Sequence, residues 1–135
     1  MGAWGVLAFD NDAANDWAYD LEETTDLKLV ESALDEVATT GSEYLDSDLG
    51  CNALAACEVL ARLRGQAGYT DAYTEKVDKW VATHQIVPST EILSRASAAI
   101  DRILADGSEL SELWDEGSGD EWRASVEDLR RRLHA

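Results

Sequence analysis

Proline is almost missing from this chain, with one residue, Pro88, in 135. Long helices therefore meet a forced break at a single point. Histidine occurs only at 84 and 134, and cysteine only at 51 and 57. There is no His-Glu-x-x-His, Cys-x-x-Cys, Gly-x-Ser-x-Gly, P-loop or Gly-x-Gly-x-x-Gly pattern. Those absences argue against zincin, thiol-redox, serine-hydrolase and dinucleotide chemistry. Cys51 and Cys57 fall on one expected helix, where they point to different sides and cannot pair. They read as buried, reduced thiols. Long apolar runs are lacking too: Val6-Leu7-Ala8-Phe9 is typical, and nothing suffices to span a bilayer. No basic stretch leading into an apolar segment opens the chain, and Val6 stands where a myristoylation signal needs Ser or Thr. A cytoplasmic protein is the expectation.

Basic residues are also scarce. Eleven Lys and Arg face 28 Asp and Glu, for a net charge of −17. The imbalance is local: residues 1–50 hold thirteen acids against Lys28 alone, whereas Arg123, Arg130, Arg131 and Arg132 balance the acids of residues 120–135. Such a field repels nucleic acid and anionic membranes and draws in cationic partners. Solubility alone is the plainer reading, and eight Arg against three Lys suits a GC-rich host.

What is present is helical periodicity. Ala14, Trp17, Ala18 and Leu21 recur on one helical face, behind a start at Asp10, Asn11 and Asp12 whose side chains suit N-caps. A second stripe (Leu27, Val30, Leu34, Val37) ends at Thr40-Gly41. A third helix runs from about Asp46 to Arg64 with Leu49, Ala53, Ala56, Leu60 and Leu63 inside. A fourth bears Tyr73, Val77, Trp80, Val81 and His84. Beyond Pro88, Ser89 caps a fifth with Leu93, Ala96, Ile100, Ile103 and Leu104. A short helix with Leu110, Leu113 and Trp114 precedes a last one with Trp122, Val126, Leu129 and Leu133, where Ser118 and Glu121 suggest a capping box. No clean period-two alternation appears. The expectation is an all-α, single compact domain over 1–135, with six or seven short helices. An N-terminal apolar plug made flexible by Gly2 and Gly5 precedes them, with Trp4, Val6, Leu7 and Phe9 folding back and Trp4 as anchor.

The opening MGAWG…FDNDAANDW, with Gly-Ser-Glu-Leu-Ser-Glu-Leu-Trp at 107–114, Trp122-Arg123 and Leu129-Arg130, resembles a bacterial family of similar length, domain of unknown function 4259. The resemblance covers essentially the whole chain. It implies a shared fold and carries no activity. Val6-Leu7 departs from it, standing where the family is associated with a Thr-Gly step.

Asp12, Asp16 and Asp20 stand one turn apart on the first helix, with Glu23 close by. Like charges at i, i+4 destabilise a helix by about 0.2–0.5 kcal/mol per pair. The row therefore asks for a cation. An EF-hand fails, since Asp10-Asn11-Asp12-Ala13-Ala14-Asn15 lacks both the fifth-position ligand and the glycine. A looser magnesium or calcium site at Asp10, Asp12 and Asp16 is the metal alternative. Basic residues of a protein partner are the favoured cation. His84 reads as a helix-end residue bonded to a carbonyl, and the tryptophans on helix stripes read as packing. The arginine run at 130–132 reads as pairing with the protein's own acids or with its helix terminus.

The leading expectation is thus a non-catalytic, acidic, helical binding protein for a basic protein surface, in the manner of an immunity protein, antitoxin-like inhibitor or nucleic-acid mimic. Asp12, Asp16, Asp20 and Glu23 form its docking face, and neither a cofactor nor a catalytic residue is assigned. Oligomeric state is left open. The alternatives are a small enzyme or metal-dependent hydrolase using the N-terminal aspartates, and a small-molecule-binding or housekeeping domain. A pocket among the tryptophans would favour the last.

Overall fold

The computed structural model describes residues 3–135; Gly2, expected to loosen the lead, and Met1 lie outside the described residues. Seven α-helices follow one another among them: α1 (Asp12–Glu22), α2 (Lys28–Thr40), α3 (Ser47–Leu63), α4 (Glu75–Thr83), α5 (Thr90–Leu104), α6 (Glu109–Asp115) and α7 (Gly119–Leu133). No strand is found among the described residues, only isolated bridges between Ala3 and Asn11 and between Leu45 and Ser108. The fold is all-α, as the stripes predict.

Local chemistry explains the boundaries. The side chains of Asn11, Asp46, Ser89 and Ser108 accept N–H bonds from the first turns of α1, α3, α5 and α6, replacing helix partners that those N–H groups lack. Gly41, with φ of 58°, ends α2 in a conformation that other residues adopt with strain. The expected box at Ser118 does not form; its side chain makes no cap bond, and α7 starts at Gly119. Nor does Tyr73 join the fourth stripe. It precedes α4 in a turn held by Asp71 and is half exposed.

α3 is the axis of the molecule and packs against every other helix. That explains why its burial extends around the helix from Gly50 to Arg62 instead of following one stripe. The amphipathic shell helices present single faces to it: Ala14, Trp17, Ala18 and Leu21 from α1, and Trp122, Val126, Leu129 and Leu133 from α7. The starts of α3 and α6 are tied side by side. Leu45 donates to the Gly107 carbonyl at 2.8 Å, Glu109 donates to the Leu45 carbonyl at 2.9 Å, and the Ser47 N–H donates to the Glu109 carboxylate at 2.9 Å.

Candidate functional site

The N-terminal segment is a closed loop built around Asp10. Trp4 N–H donates to the Asp10 carbonyl (2.9 Å), Asp10 N–H to the Leu7 carbonyl (3.0 Å), and Leu7 N–H to the Asp10 carboxylate (3.2 Å). Asn15 locks the loop onto α1 by donating to the carbonyls of Phe9 and Asn11, both at 2.7 Å. Gly5 lies so close to the Asp10 carboxylate that any side chain there would collide with it. The glycine and aspartate of the opening motif therefore serve one turn. Phe9, fully buried, is what plugs the core. Trp4 is not the anchor: it is 49% exposed and packs on Tyr73, itself 45% exposed, with ring centroids 5.0 Å apart. The reason is the loop's direction, which turns Phe9 inward and leaves Trp4 at the rim.

This loop also decides the fate of the metal alternative. Asp10 turns back to hold Leu7, while Asp12 and Asp16 face solvent. Among the described residues, no three His, Cys, Asp or Glu side chains gather as an ion would require. The Asp10, Asp12 and Asp16 set is not assembled. Burial raises the Asp10 carboxyl above its usual 3.8, against the Leu7 hydrogen bond and with a further rise from Asp71.

Asp12, Asp16, Asp20 and Glu23 are all exposed, and none forms an ion pair among the described residues. Tyr19 projects from the same helix, 61% exposed. The ammonium of Lys76 in α4 sits 4.2 Å from the Tyr19 ring centroid and 3.8 Å from the Glu22 carboxylate. One border of the acidic face thus already shows how it receives a cation.

A cavity of about 220 Å³ opens between the N-terminal segment, α3, α6 and α7. Leu54, Leu110, Leu113, Trp114, Trp122 and Val126 give it apolar walls, while Asp12, Asp48 and Glu58 are its carboxylates and no basic residue lines it. Trp114 and Trp122 stack nearly parallel, 7° apart in plane and 6.3 Å between centroids. Cys51 also lines it, and burial, followed by Asp48 and Asp46, pushes its thiol up to about 12. It is therefore a neutral group near pH 7 and a poor nucleophile.

Glu58 belongs to a buried network. Arg132 of α7 grips its carboxylate at 2.6 and 2.9 Å, and Arg62, one turn on along α3, approaches at 3.4 Å. Arg62 continues to Asp78 at 2.6 Å and to the Tyr69 carbonyl at 2.7 Å, and Arg132 reaches Asp128 at 2.9 Å. Gly68, with φ of 73°, lets the chain pass close against Arg132, where a Cβ would lie 2.7 Å from Nε. Both histidines are structurally occupied: His84 Nδ1 lies 2.9 Å from the Trp80 carbonyl with its ring stacked on Trp80, and His134 meets the Ser97 hydroxyl.

The sequence profile of the family described as Domain of unknown function (DUF4259) matches residues 2–125 of this chain. The chain belongs to that family. No curated protein and no solved structure matches it. In this DUF4259 member, Val6 and Leu7, where the resemblance implied a Thr-Gly step, line the cavity. No helix among the described residues is long and apolar enough to cross a membrane.

Sequence reasoning named a pocket among the tryptophans only as a condition that would favour small-molecule binding and did not locate it; the Glu58 network it missed. The available signal was Glu58-x-x-x-Arg62, an opposite-charge pair at i, i+4 inside the most apolar stretch of the chain. On an exposed helix that spacing is ordinary. On a central one it announces buried partners.

Proposed function

We propose that this DUF4259 member is a non-catalytic binding protein that engages a basic protein surface through the exposed face of α1. The observation that carries this reading is the contrast in pairing. Eight of the protein's Lys and Arg side chains are engaged with its own carboxylates, yet Asp12, Asp16, Asp20 and Glu23 hold none of them. Exposed Tyr19 stands among these acids, and exposed Trp4 and Tyr73 pair at the N-terminal loop that leads into α1. Aromatic residues are enriched in interface cores, with polar groups at the rim. The acids steer a cationic partner at long range, and the aromatic rings supply contact area once it docks.

The test is affinity capture at low salt from lysate of the native host. It compares the wild type with a variant carrying Asp16→Asn, Asp20→Asn and Glu23→Gln, and with a second variant that adds Asp12→Asn. A basic protein retained by the wild type, lost from both variants and released by salt supports the reading. Equal recovery by all three proteins removes the α1 face as the docking site.

A further inference from the structure

We propose that the cavity between the N-terminal segment, α3, α6 and α7 binds a small organic cation, a primary ammonium on a one-ring or short aliphatic body. The site shares Asp12 with the proposed protein interface, but Asp16, Asp20 and Glu23 do not line it.

Size sets the body of the ligand. An apolar cavity of roughly 150 Å³ holds benzene, so about 220 Å³ takes one ring with a short arm. Leu54, Leu110, Leu113 and Val126 furnish an apolar wall, and Trp114 and Trp122 add aromatic faces, which attract cations as well as rings. Arg123 already lies 5.8 Å over the Trp122 ring, so Trp114 is the freer of the two.

Charge sets the head group. Glu58 is matched within the wall by Arg132 and Arg62. Asp12 and Asp48 are exposed, line the same cavity, and have no ion-pair partner among the described residues. Both stand in the first turn of a helix, α1 and α3. Each helix start contributes about half a positive charge, which a full carboxylate outweighs. Arg123 and Arg132 on α7 are turned to Asp115 and to Glu58 with Asp128, and neither lines the cavity. The mouth therefore selects a cation over a neutral molecule and rejects an anion. The protonated Cys51 thiol fits the same negative field.

Three probes of matched shape test this by calorimetry and by amide and indole NMR shifts: 2-phenylethylamine, 2-phenylethanol and 3-phenylpropanoate. The amine is expected to bind about fivefold more tightly than the alcohol, the upper end of what an exposed ion pair supplies. Its shifts should centre on Leu54, Leu110 and the Trp114 and Trp122 indoles, and the carboxylate should not bind. The double variant Asp12→Asn with Asp48→Asn should bring the amine to the alcohol's affinity. Ser125→Trp, which fills the cavity, should abolish binding of both. The double variant changes only exposed side chains, so the charge test stands whether or not Ser125→Trp folds. Equal binding of all three probes, no binding of the amine at millimolar concentration, or shifts confined to Asp16–Glu23 would each overturn the proposal.

Discussion

Two regions of this molecule carry carboxylates and use them in opposite ways. On α1, Asp12, Asp16, Asp20 and Glu23 are exposed and unpaired among the described residues. On α3, Glu58 is 1% exposed and held by two guanidinium groups. The first set is a field without contacts; the second is a set of contacts whose field is cancelled. Net charge counts both alike. Burial and partners decide which carboxylate stabilises the fold and which is free to meet something else.

The largest expected effect lies in the buried set. Glu58→Ala leaves Arg132 and Arg62 without their shared acceptor, and breaking one side of a buried pair costs about 3–5 kcal/mol. Urea unfolding should show that loss, and Arg132→Met should approach it. A loss under about 1 kcal/mol, the range of exposed pairs, would place Glu58 in the same class as the α1 acids.

The N-terminal segment offers the same contrast in apolar form. Phe9→Ala should destabilise by about 3–5 kcal/mol, since it empties a fully buried site. Trp4→Ala should stay within about 0.5 kcal/mol, as other surface changes do. Thermal or urea unfolding of the two variants separates plug from rim, and comparable losses would mean that Trp4 shares the anchoring.

These two cases mark what the sequence could and could not tell. The stripes on α1 and α7 were readable because each of those helices turns one face to the core around α3 and leaves the other in solvent, and a 3.6-residue period records that. The caps at Asn11 and Ser89 were readable because capping is local. Glu58 was not, since its main partner lies 74 residues away and its helix is enclosed on all sides. Trp4 was misplaced because glycines fix that a chain turns but not which of two aromatic residues enters the core. The acidic residues of α1 lie exposed on one ridge, which their four-residue spacing implies once the helix is placed. The cavity lies between four segments distant in sequence, a relation that no local pattern encodes.

A third, smaller effect distinguishes two carboxylates by pH. Burial raises the Asp10 carboxyl, so the native state holds that proton more tightly than the unfolded chain does. Its contribution to stability therefore falls as pH rises from 3.8 through the raised value. Asp128 has the opposite sign: hydrogen bonds from Arg131 and Arg132 lower it, and the stability it supplies above 3.8 is lost as pH falls through its depressed value. Asp10→Asn keeps an acceptor for the Leu7 N–H and removes the ionisation. Its stability should decline less than that of the wild type between the acid and neutral ranges. An unchanged profile in urea unfolding would mean that Asp10 is solvated like its neighbours on α1.

The smallest effect bears most directly on function. Asp12, Asp16 and Asp20 repel along one ridge, and Asp20 and Glu23 sit toward the negative end of the helix dipole. Changing Asp16 and Asp20 to Asn and Glu23 to Gln should therefore stabilise the protein at low ionic strength, by about 0.2–0.5 kcal/mol for each repulsive pair removed. Added salt should erase the gain, because screening already quiets the exposed charges in the wild type. Thermal unfolding at low and high salt measures both. A gain that vanishes with salt identifies the ridge as a standing repulsion that a docked cation would relieve, and it would make the same three substitutions stabilising alone but damaging to the complex. A loss of stability instead would mean that the acids already have partners within the chain, and the ridge would then belong with Glu58 among the structural carboxylates.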